Sequence, residues 1–406
     1  MSRKAKIVIS SCVVLLAVTC IIIAVMIKSN ENQGDSLKEK LSYSTLKIET
    51  TDPLYEIGED YPVSLSPTHI AESEDAYYIQ YGIIDPKHIY RLEKETGKFG
   101  ILCSNPQCSH SDDRCTAYLG VNVLGDKLTY YNERIYYLNS IINYDKSYRE
   151  VWLMSMNTEG SDRKKEYKIS DMAFGSGYTV DYSMSNGYVY YSLGIGGQDL
   201  EGYDTVVSID LYRGDLSNGE AVRLHHQDGY SLGYWNVYID KETAVFQLKY
   251  RDDSDNYINK TVTYDVNSGA VTETDDGDYM LCISIDGVLY YKNGADIYKK
   301  SGDEYVKIYN VGEKGDGIYL YTNGKYIILN NFGQMAINGM DPKDRKLTII
   351  DGDGNKIKEI STYEYEWDTI FTKDYLFAYT FQGEDNGEKI FICPIEGEVN
   401  EWIECK

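Results

Sequence analysis

Residues that interrupt strands or act in catalysis are scarce in this sequence. It has seven prolines and five histidines among 406 residues. With so little proline, most backbone N–H groups remain available as donors to a sheet. No G-x-S-x-G nucleophile elbow occurs, and the glycine-rich segment 194–197 lacks the later glycine and lysine of a phosphate-binding loop. None of the 64 acidic residues stands out as part of a glycosidase pair. The sequence therefore contains no recognisable catalytic constellation.

Basic residues are also fewer than acidic residues. Lys and Arg total 40 against 64 Asp and Glu, which gives a formal net charge of −24. Such a surface repels nucleic acid and anionic lipid headgroups, so neither is a predicted partner. It favours cations or basic ligands, although the simplest interpretation is a solubilising charge on an exported protein.

Only one long hydrophobic run occurs, and helical periodicity is nearly absent outside it. Residues 7–27 form a 21-residue apolar run without a charge, which as a helix spans roughly 30 Å, the thickness of a bilayer core. Arg3, Lys4 and Lys6 precede this run, and a polar, acidic segment follows it. The positive-inside rule therefore predicts a cytoplasmic tail at 1–6, a transmembrane helix at 7–27, and an extracytoplasmic C-terminal domain at the cell membrane.

Two other fates of this hydrophobic run remain open. A cleavable signal peptide has a shorter apolar core and a small-residue exit, and neither is evident here. A lipoprotein signal would use LAVTC, with Cys20 as the lipidated residue, but Thr19 is a poor residue before such a cysteine and seven apolar residues follow it. We therefore favour an uncleaved anchor.

Tyrosine is abundant and regularly placed: the chain has 41 tyrosines and eight phenylalanines. Short β-type runs that follow a turn and are rich in aromatic and β-branched residues occur seven times, at 74–81, 132–139, 186–193, 241–248, 286–293, 323–330 and 373–380. Between them lie segments with a strand, a tight turn and often a closing strand. One run and one such segment make a four-stranded antiparallel sheet.

Repetition of this unit predicts an all-β fold, a β-propeller of about seven blades, with six or eight also possible. The predicted propeller covers 44–406, after a polar stalk at 28–43. A strand at Thr45–Thr50 is expected to complete the last blade and close the ring.

The segment DGDGN at 351–355 offers oxygen atoms at alternating positions, like the start of an EF-hand loop. Such a loop needs Gly at its sixth position and Glu at its twelfth, where this chain has Lys356 and Thr362. We therefore interpret the segment as a hairpin turn between two strands.

The most unusual stretch is LCSNPQCSHSDDRC, at 102–115. Cys103, Cys108, His110 and Cys115 have the spacing C-x4-C-x-H-x4-C, and three thiolates with an imidazole are a full ligand set for tetrahedral Zn. The spacing is not that of a common zinc finger. Outside the membrane, a disulfide among Cys103, Cys108 and Cys115 is the alternative, and free thiols are a third.

Three more cysteines follow this stretch: Cys282, Cys393 and Cys405. Cys282 and Cys393 lie in apolar strand-like segments, where we expect buried free thiols that behave as small hydrophobic residues. The six cysteines beyond the hydrophobic run allow 15 disulfide connectivities, which the sequence alone does not resolve.

The stretch LCSNPQCSHSDDRCTA, together with the repeated YY strands, resembles a group of exported, Tyr-rich, propeller-like proteins of low-GC Gram-positive bacteria. Many of these are domains of unknown function, distantly similar to the propellers of lipoprotein-receptor-related proteins. Their pattern, C-x4-C-x-H followed by C-x-A, fits Cys103, Cys108, His110, Cys115 and Ala117. The resemblance covers the chain after residue 50. The resemblance implies fold and location but no activity. Because many members of the group are lipoproteins, it also lends some support to the alternative that Cys20 is lipidated.

These observations predict a membrane-anchored, non-catalytic binding or scaffold module at the cell surface, with a peptide, a glycan or an envelope protein as its ligand. One alternative is a metal- or redox-responsive sensor that acts through a Cys/His insert at 102–117. A propeller glycosidase or lyase is the other. We expect the insert to lie at a junction between two blades and to hold it together through a disulfide or a metal ion.

Overall fold

The structure is a computed structural model that describes residues 70–81, 87–120, 123–143, 148–173, 178–198, 204–231, 237–240, 242–252, 256–312, 317–331, 341–362, 370–381 and 388–405. The predicted tail, transmembrane helix, stalk and early strand at Thr45–Thr50 lie outside these residues, as does Cys20. Among the described residues, no helix is long and apolar enough to cross a membrane.

The described chain is all-β and forms seven blades in chain order. Blade 1 contains β1 (Ile70–Glu72), β2 (Ala76–Tyr81), β3 (Lys87–Glu93), β4 (Phe99–Ile101) and β5 (Tyr118–Gly120). Blade 2 contains β6 (Val123–Tyr131), β7 (Arg134–Asn143), β8 (Tyr148–Met156) and β9 (Lys164–Ala173). Blade 3 contains β10 (Tyr178–Ser185), β11 (Tyr188–Gln198), β12 (Asp204–Asp215) and β13 (Ala221–Ser231).

The remaining four blades repeat this arrangement. Blade 4 contains β14 (Val237–Asp240), β15 (Thr243–Arg251), β16 (Tyr257–Asp265) and β17 (Val271–Asp275). Blade 5 contains β18 (Met280–Ile285), β19 (Val288–Asn293), β20 (Asp296–Ser301) and β21 (Glu304–Asn310). Blade 6 contains β22 (Tyr319–Thr322), β23 (Ile327–Asn330), a short 3₁₀ helix (Pro342–Asp344), β24 (Lys346–Ile350) and β25 (Lys356–Ser361). Blade 7 contains β26 (Ile370–Phe371), β27 (Tyr375–Phe381), β28 (Glu388–Pro394) and β29 (Ile403–Glu404).

Strands within each blade pair with their chain neighbours, except that β5 pairs with β3, and every pairing is antiparallel, so each blade is built as an up-and-down meander. Blades 3 and 4 also share backbone pairing, because β13 meets β15 at Tyr230↔Arg251 and Ser231↔Tyr250. The seven tyrosine-rich runs are the second strands of the seven blades, which confirms the predicted β-propeller and its blade count of seven.

Tight turns with positive φ join many first and second strands. Asn186 and Gly187 have φ of 51° and 81°, and Asp286 and Gly287 have φ of 54° and 78°. Two consecutive residues with positive φ suit the two-residue hairpin turn that matches strand twist, and Asn, Asp and Gly adopt this conformation most readily. The DGDGN segment likewise connects β24 and β25, and Asp351 accepts hydrogen bonds from the backbone N–H groups of Asp353 and Asn355. This confirms the interpretation as a hairpin turn.

The core lies between blades. Side chains alternate along a strand, so the two tyrosines of a YY pair face opposite neighbouring blades. Tyr137 packs with Tyr78 in the cluster between blades 1 and 2. The adjacent Tyr136 packs with Tyr191 in the cluster between blades 2 and 3. Because the second strand is buried on both faces, its sequence is a nearly continuous apolar run.

Among the described residues, the first and last blades contact each other through side-chain packing. Tyr77 of blade 1 contacts Tyr375 and Phe377 of blade 7, with ring centroids 6.3 and 5.0 Å apart. Blade 7 draws all four of its described strands from the C-terminal part of the chain. Among the described residues, no strand is exchanged between these two blades.

Candidate metal centre

The Cys/His segment interrupts the outermost strand of blade 1. β4 pairs with one half of β3, at Tyr90, Arg91 and Leu92. β5 pairs with the other half of β3, at Lys87 and His88. β4 and β5 therefore occupy one strand position, and residues 102–117 form an insert between them.

The two ends of the insert meet at Ile89. The N–H of Leu102 donates to the carbonyl oxygen of Ile89 at 2.9 Å, and the N–H of Ile89 donates to the carbonyl oxygen of Ala117 at 2.9 Å. The hydroxyl of Thr116 also donates to the carbonyl oxygen of Leu102 at 2.7 Å. These three bonds hold together the two ends of the insert, Leu102 and Thr116–Ala117, which we call its neck. Cys103 and Cys115 are the next residues inward from the neck.

The insert brings together the four residues that the sequence pattern singles out. The side-chain ligand atoms of Cys103, Cys108, His110 and Cys115 all lie within 4.8 Å of one another. Nδ1 of His110 lies 3.2 Å from Sγ of Cys115. The backbone N–H of His110 also donates to Sγ of Cys108 at 3.4 Å. In the part of the chain that the structure describes, this is the one group of three or more such residues that could hold a metal ion.

His110 has an unusual backbone conformation that turns its ring toward the cysteines. Its φ is 54°, in the left-handed region that non-glycine residues seldom occupy. The carbonyl oxygen of His110 accepts a hydrogen bond from Nε2–H of His88 at 2.6 Å. The His88 ring lies edge-on to Tyr118, with centroids 5.7 Å apart. A residue of β3 thus holds the backbone of one candidate ligand.

The three thiols differ in exposure and in acidity. Cys115 is buried, whereas Cys103 and Cys108 are partly exposed. Burial raises the pKa of Cys115 to about 11. For Cys103, partial burial acts in the same direction, but hydrogen bonds from the backbone N–H of Asn105 and from neighbouring thiols outweigh it and lower the pKa. Three thiolates this close repel one another, so full ionisation requires a cation among them.

The insert also contacts blade 2. Nη2 of Arg163 donates to the carbonyl oxygens of Cys115 and Thr116, at 3.3 and 3.0 Å. Gly160, in the turn between β8 and β9, lies so close that a Cβ there would be 2.2 Å from the carbonyl oxygen of Thr116. Leu102, Cys115 and Ala117 belong to the apolar cluster shared by blades 1 and 2. The insert therefore lies at a blade junction, as its sequence predicts.

The donor set fits zinc better than magnesium or calcium. Thiolate and imidazole ligands favour Zn, whereas Mg and Ca favour oxygen ligands. Four ligands from the chain fill a tetrahedral coordination sphere and leave no position for substrate, which is characteristic of a structural site rather than a catalytic one. No disulfide joins any of the six cysteines in the described part of the chain. Cys282 and Cys393 are buried, as their sequence context predicts.

The other described histidines lie elsewhere. His226 pairs with Asp210 at 2.6 Å, between Nδ1 and Oδ1, on the outer strands of blade 3. Nδ1 of His225 lies 3.1 Å from Oε1 of Glu273 in blade 4.

Sequence reasoning missed the contributions of His88 and Arg163 to the insert. Neither belongs to the spaced motif, and only the pairing of β3 with β5 and the packing of blade 2 bring them there.

No protein-family model and no curated protein matches the sequence. Several solved structures resemble the fold. An oligogalacturonate lyase in complex with manganese has a TM-score of 0.51 and 12% identity, with 79% of this chain and 86% of the lyase covered. The β-propeller domain of the Trilobed protease from Pyrococcus furiosus, described as having an open velcro topology, has a TM-score of 0.44 and 13% identity, with coverage of 83% and 94%.

The acylaminoacyl peptidase of Pyrococcus horikoshii has a TM-score of 0.44 and 13% identity, with 69% of this chain covered. The match spans 45% of the peptidase's length. At such identities the likeness establishes the propeller fold alone. The resemblance to exported Tyr-rich proteins of Gram-positive bacteria stays a prediction.

Proposed function

We propose that Cys103, Cys108, His110 and Cys115 hold one structural zinc ion that fastens the insert of blade 1. The observation that carries this proposal is the convergence of four ligand atoms within 4.8 Å of one another. When bound, the ion would supply a positive charge that allows all three thiols to ionise, and it would cross-link a segment that has little regular structure. The neighbouring thiols and imidazole would otherwise depend on weak hydrogen bonds alone.

Metal analysis of the purified full-length chain tests this proposal. We expect about one zinc per chain, because the site supplies a single tetrahedral set. The variant Cys108→Ser should lose most of this zinc, since it removes one of the four ligands. Cys282→Ser is the matched control, because it removes a thiol outside the insert and should retain the metal. A metal-free wild-type chain after purification with zinc would overturn the proposal.

For the whole chain, we propose a non-catalytic binding or scaffold module that residues 7–27 anchor at the cell membrane and that faces the cell exterior. Support comes from the apolar run with its preceding positive charges, the acidic composition, and a propeller fold that presents loops around a central axis. A closed metal site also leaves no coordination position for catalysis. Peptides, glycans and envelope proteins are the candidate ligands.

The lyase in the comparison was solved in complex with manganese. Manganese favours carboxylate, carbonyl and water ligands, whereas the Cys/His insert offers three sulfur atoms and one nitrogen atom. The metal of that lyase therefore gives no support for a lyase activity here. Fold likeness alone does not transfer function.

Two experiments test the proposed role and location. The full-length chain is incubated with panels of acidic and neutral polysaccharides and of peptides, and both retention and cleavage are measured. We expect retention of one ligand class without new reducing ends or unsaturated products, and polysaccharide cleavage would favour the glycosidase or lyase alternative. For location, a periplasm-dependent phosphatase fused after residue 406 should be active in a Gram-negative host. An inactive fusion would contradict the predicted orientation.

A further inference from the structure

The proposed zinc site has an accessible side and a protected side. Cys103 and Cys108 are partly exposed. Cys115 is only 1% exposed and belongs to the apolar cluster between blades 1 and 2. A small reagent in solvent therefore reaches the first two sulfur atoms more readily than the third.

The neck of the insert does not depend on the metal. The backbone bonds of Ile89 to Leu102 and Ala117, at 2.9 Å each, lie outside the four ligands. The bond from the Thr116 hydroxyl to the Leu102 carbonyl oxygen does so as well. Loss of the metal would therefore release the segment inside the neck while β4 and β5 stay paired with β3.

We propose that Cys103 and Cys108 are a site of oxidative modification, at which a hydroperoxide forms a disulfide and releases the zinc ion. This inference rests on the proposed structural zinc. The two sulfur atoms already lie within 4.8 Å, and a disulfide requires them to approach to about 2.05 Å. The segment between them contains only one turn, in which the N–H of Cys108 donates to the carbonyl oxygen of Asn105. It can therefore close without disturbing the neck.

The chemistry balances with a hydroperoxide as the two-electron oxidant. One thiolate attacks the terminal peroxide oxygen, the O–O bond breaks, and the departing alkoxide takes a proton to become an alcohol, or water when the oxidant is hydrogen peroxide. The resulting sulfenic acid is attacked by the second thiolate. The S–S bond forms, the S–O bond breaks, and the hydroxide takes a proton and leaves as water. Because both sulfur atoms would have lost their charge, only His110 and Cys115 would remain as ligands, and the zinc ion would be released.

The modified site adjoins blade 2 through Cys115. Its carbonyl oxygen accepts from Arg163, and its sulfur atom lies 3.2 Å from Nδ1 of His110. Without zinc, Cys103 and Cys108 would no longer be cross-linked to Cys115, and the exposed half of the insert would be free to move. The propeller keeps its strands, while the surface at the junction of blades 1 and 2 changes.

The test uses the full-length, zinc-loaded chain and hydrogen peroxide, under conditions that fully oxidise free cysteine. Zinc release is followed with a chromophoric chelator, thiols are counted before and after, and peptides are mapped by mass spectrometry. We expect the loss of one zinc and two thiols per chain, a peptide pair linked through Cys103 and Cys108, and an unchanged β-type circular dichroism spectrum. Reductant with added zinc should restore the metal.

Each outcome separates this inference from the zinc proposal. A chain without zinc before treatment would overturn the zinc proposal itself. Zinc that stays bound after treatment, a linkage through Cys115, or sulfinic acid without a disulfide would overturn the oxidation site alone. Cys282→Ser is the matched control and should release zinc like the wild type. Cys103→Ser should form no linkage in the insert, and the wild-type peptide map decides the matter if that variant does not fold.

Discussion

At the scale of single residues, His88 is the side chain outside the candidate ligand set that most directly shapes it. Its Nε2–H donates to the carbonyl oxygen of His110 at 2.6 Å. That bond supports a backbone with φ of 54°, which costs of order 1–3 kcal/mol for a non-glycine residue unless its surroundings hold it. His88 is thus a positioning residue for the proposed zinc site.

Replacing His88 tests this role. We expect His88→Phe to weaken zinc binding about 10- to 100-fold, the range found when partners of metal ligands are removed. Competition against a chelator of known affinity measures the change. The absorption spectrum of the Co²⁺-substituted site reports altered geometry, which a general loss of stability would not produce. His88→Gln keeps a side-chain donor and should restore much of the affinity. Equal affinities for wild type and His88→Phe would contradict the assignment.

His225 is a second residue whose environment has a measurable consequence. Its side chain is 9% exposed and its Nδ1 lies 3.1 Å from Oε1 of Glu273. Burial lowers the pKa of His225, Glu273 opposes this change, and Lys260 and His226 add to it. The buried Nε2 atom has no hydrogen-bond partner among the described residues. A protonated ring would therefore leave one N–H unsatisfied between blades 3 and 4.

The lowered pKa of His225 predicts a loss of stability in mild acid. Below the ordinary pKa of about 6.5, the unfolded chain binds a proton that the folded chain does not, so folding weakens as the pH falls. The slope for one proton is at most about 1.4 kcal/mol per pH unit, and it ends at the lower, folded-state pKa. Urea unfolding between pH 5 and 7.5 measures it. His225→Gln should show a smaller slope than the wild type, and identical slopes would show that other groups cause the loss.

At the scale of elements, the turn between β8 and β9 is shaped to fit the Cys/His insert. Gly160 has φ of 79°, and a Cβ there would meet the carbonyl oxygen of Thr116 at 2.2 Å. Gly219 occupies the corresponding turn of blade 3, with φ of 76°, but a Cβ there would meet nothing within 4 Å. The two glycines therefore share the same backbone requirement and differ in the neighbouring insert.

This pair of glycines permits a matched experiment. Gly219→Ala should cost about 1–2 kcal/mol of unfolding free energy, the penalty for an L-residue in the left-handed region. Gly160→Ala should cost more, because the turn must also move away from the insert, and it should weaken zinc binding. Chemical denaturation and chelator competition on both variants measure these effects. Equal costs and unchanged zinc affinity would contradict the fit between the turn and the insert.

Element prediction from the sequence succeeded where local chemistry determines structure. Turn residues with positive φ and the double-sided burial of the second strands produce the turn-YY pattern, and strand-turn-strand segments mark the third and fourth strands. Some of the innermost strands carry a weaker signal, since β1, β22 and β26 have only three, four and two residues. Their position depends on packing around the central axis, which no local pattern encodes. The sequence also contains no local signal that the outer strand of blade 1 is divided into β4 and β5.

The same distinction applies to the candidate site. The spacing of Cys103, Cys108, His110 and Cys115 suffices to predict that their side chains lie close together, because all four lie within one short insert. His88 lies in β3 and Arg163 lies between β8 and β9, and only the folded arrangement of blades 1 and 2 brings them to the insert. Tertiary contacts of this kind have no signature in a single sequence.

At the scale of the whole molecule, the blade count follows from the repeat, but the manner of ring closure does not. The expected strand at Thr45–Thr50 lies outside the described residues, and blade 7 has four described strands of its own. The described contact between blades 7 and 1 consists of side chains, with Tyr77, Phe377 and Ile390 in one apolar cluster. Such a contact should resemble any other interface between adjacent blades in strength.

Two buried phenylalanines allow this expectation to be tested. Phe377 lies at the contact between blades 7 and 1, and Phe246 lies at the contact between blades 3 and 4; both are 0% exposed. Truncation of either to alanine should cost about 3–5 kcal/mol, because it removes a fully buried ring from a packed interface. If side-chain packing closes the ring as one cooperative unit, both variants unfold in a single transition with similar losses in urea denaturation. A negligible loss for Phe377→Ala would mean that other parts of the chain carry the closure. An added early transition would mean that the ring opens there before the blades unfold.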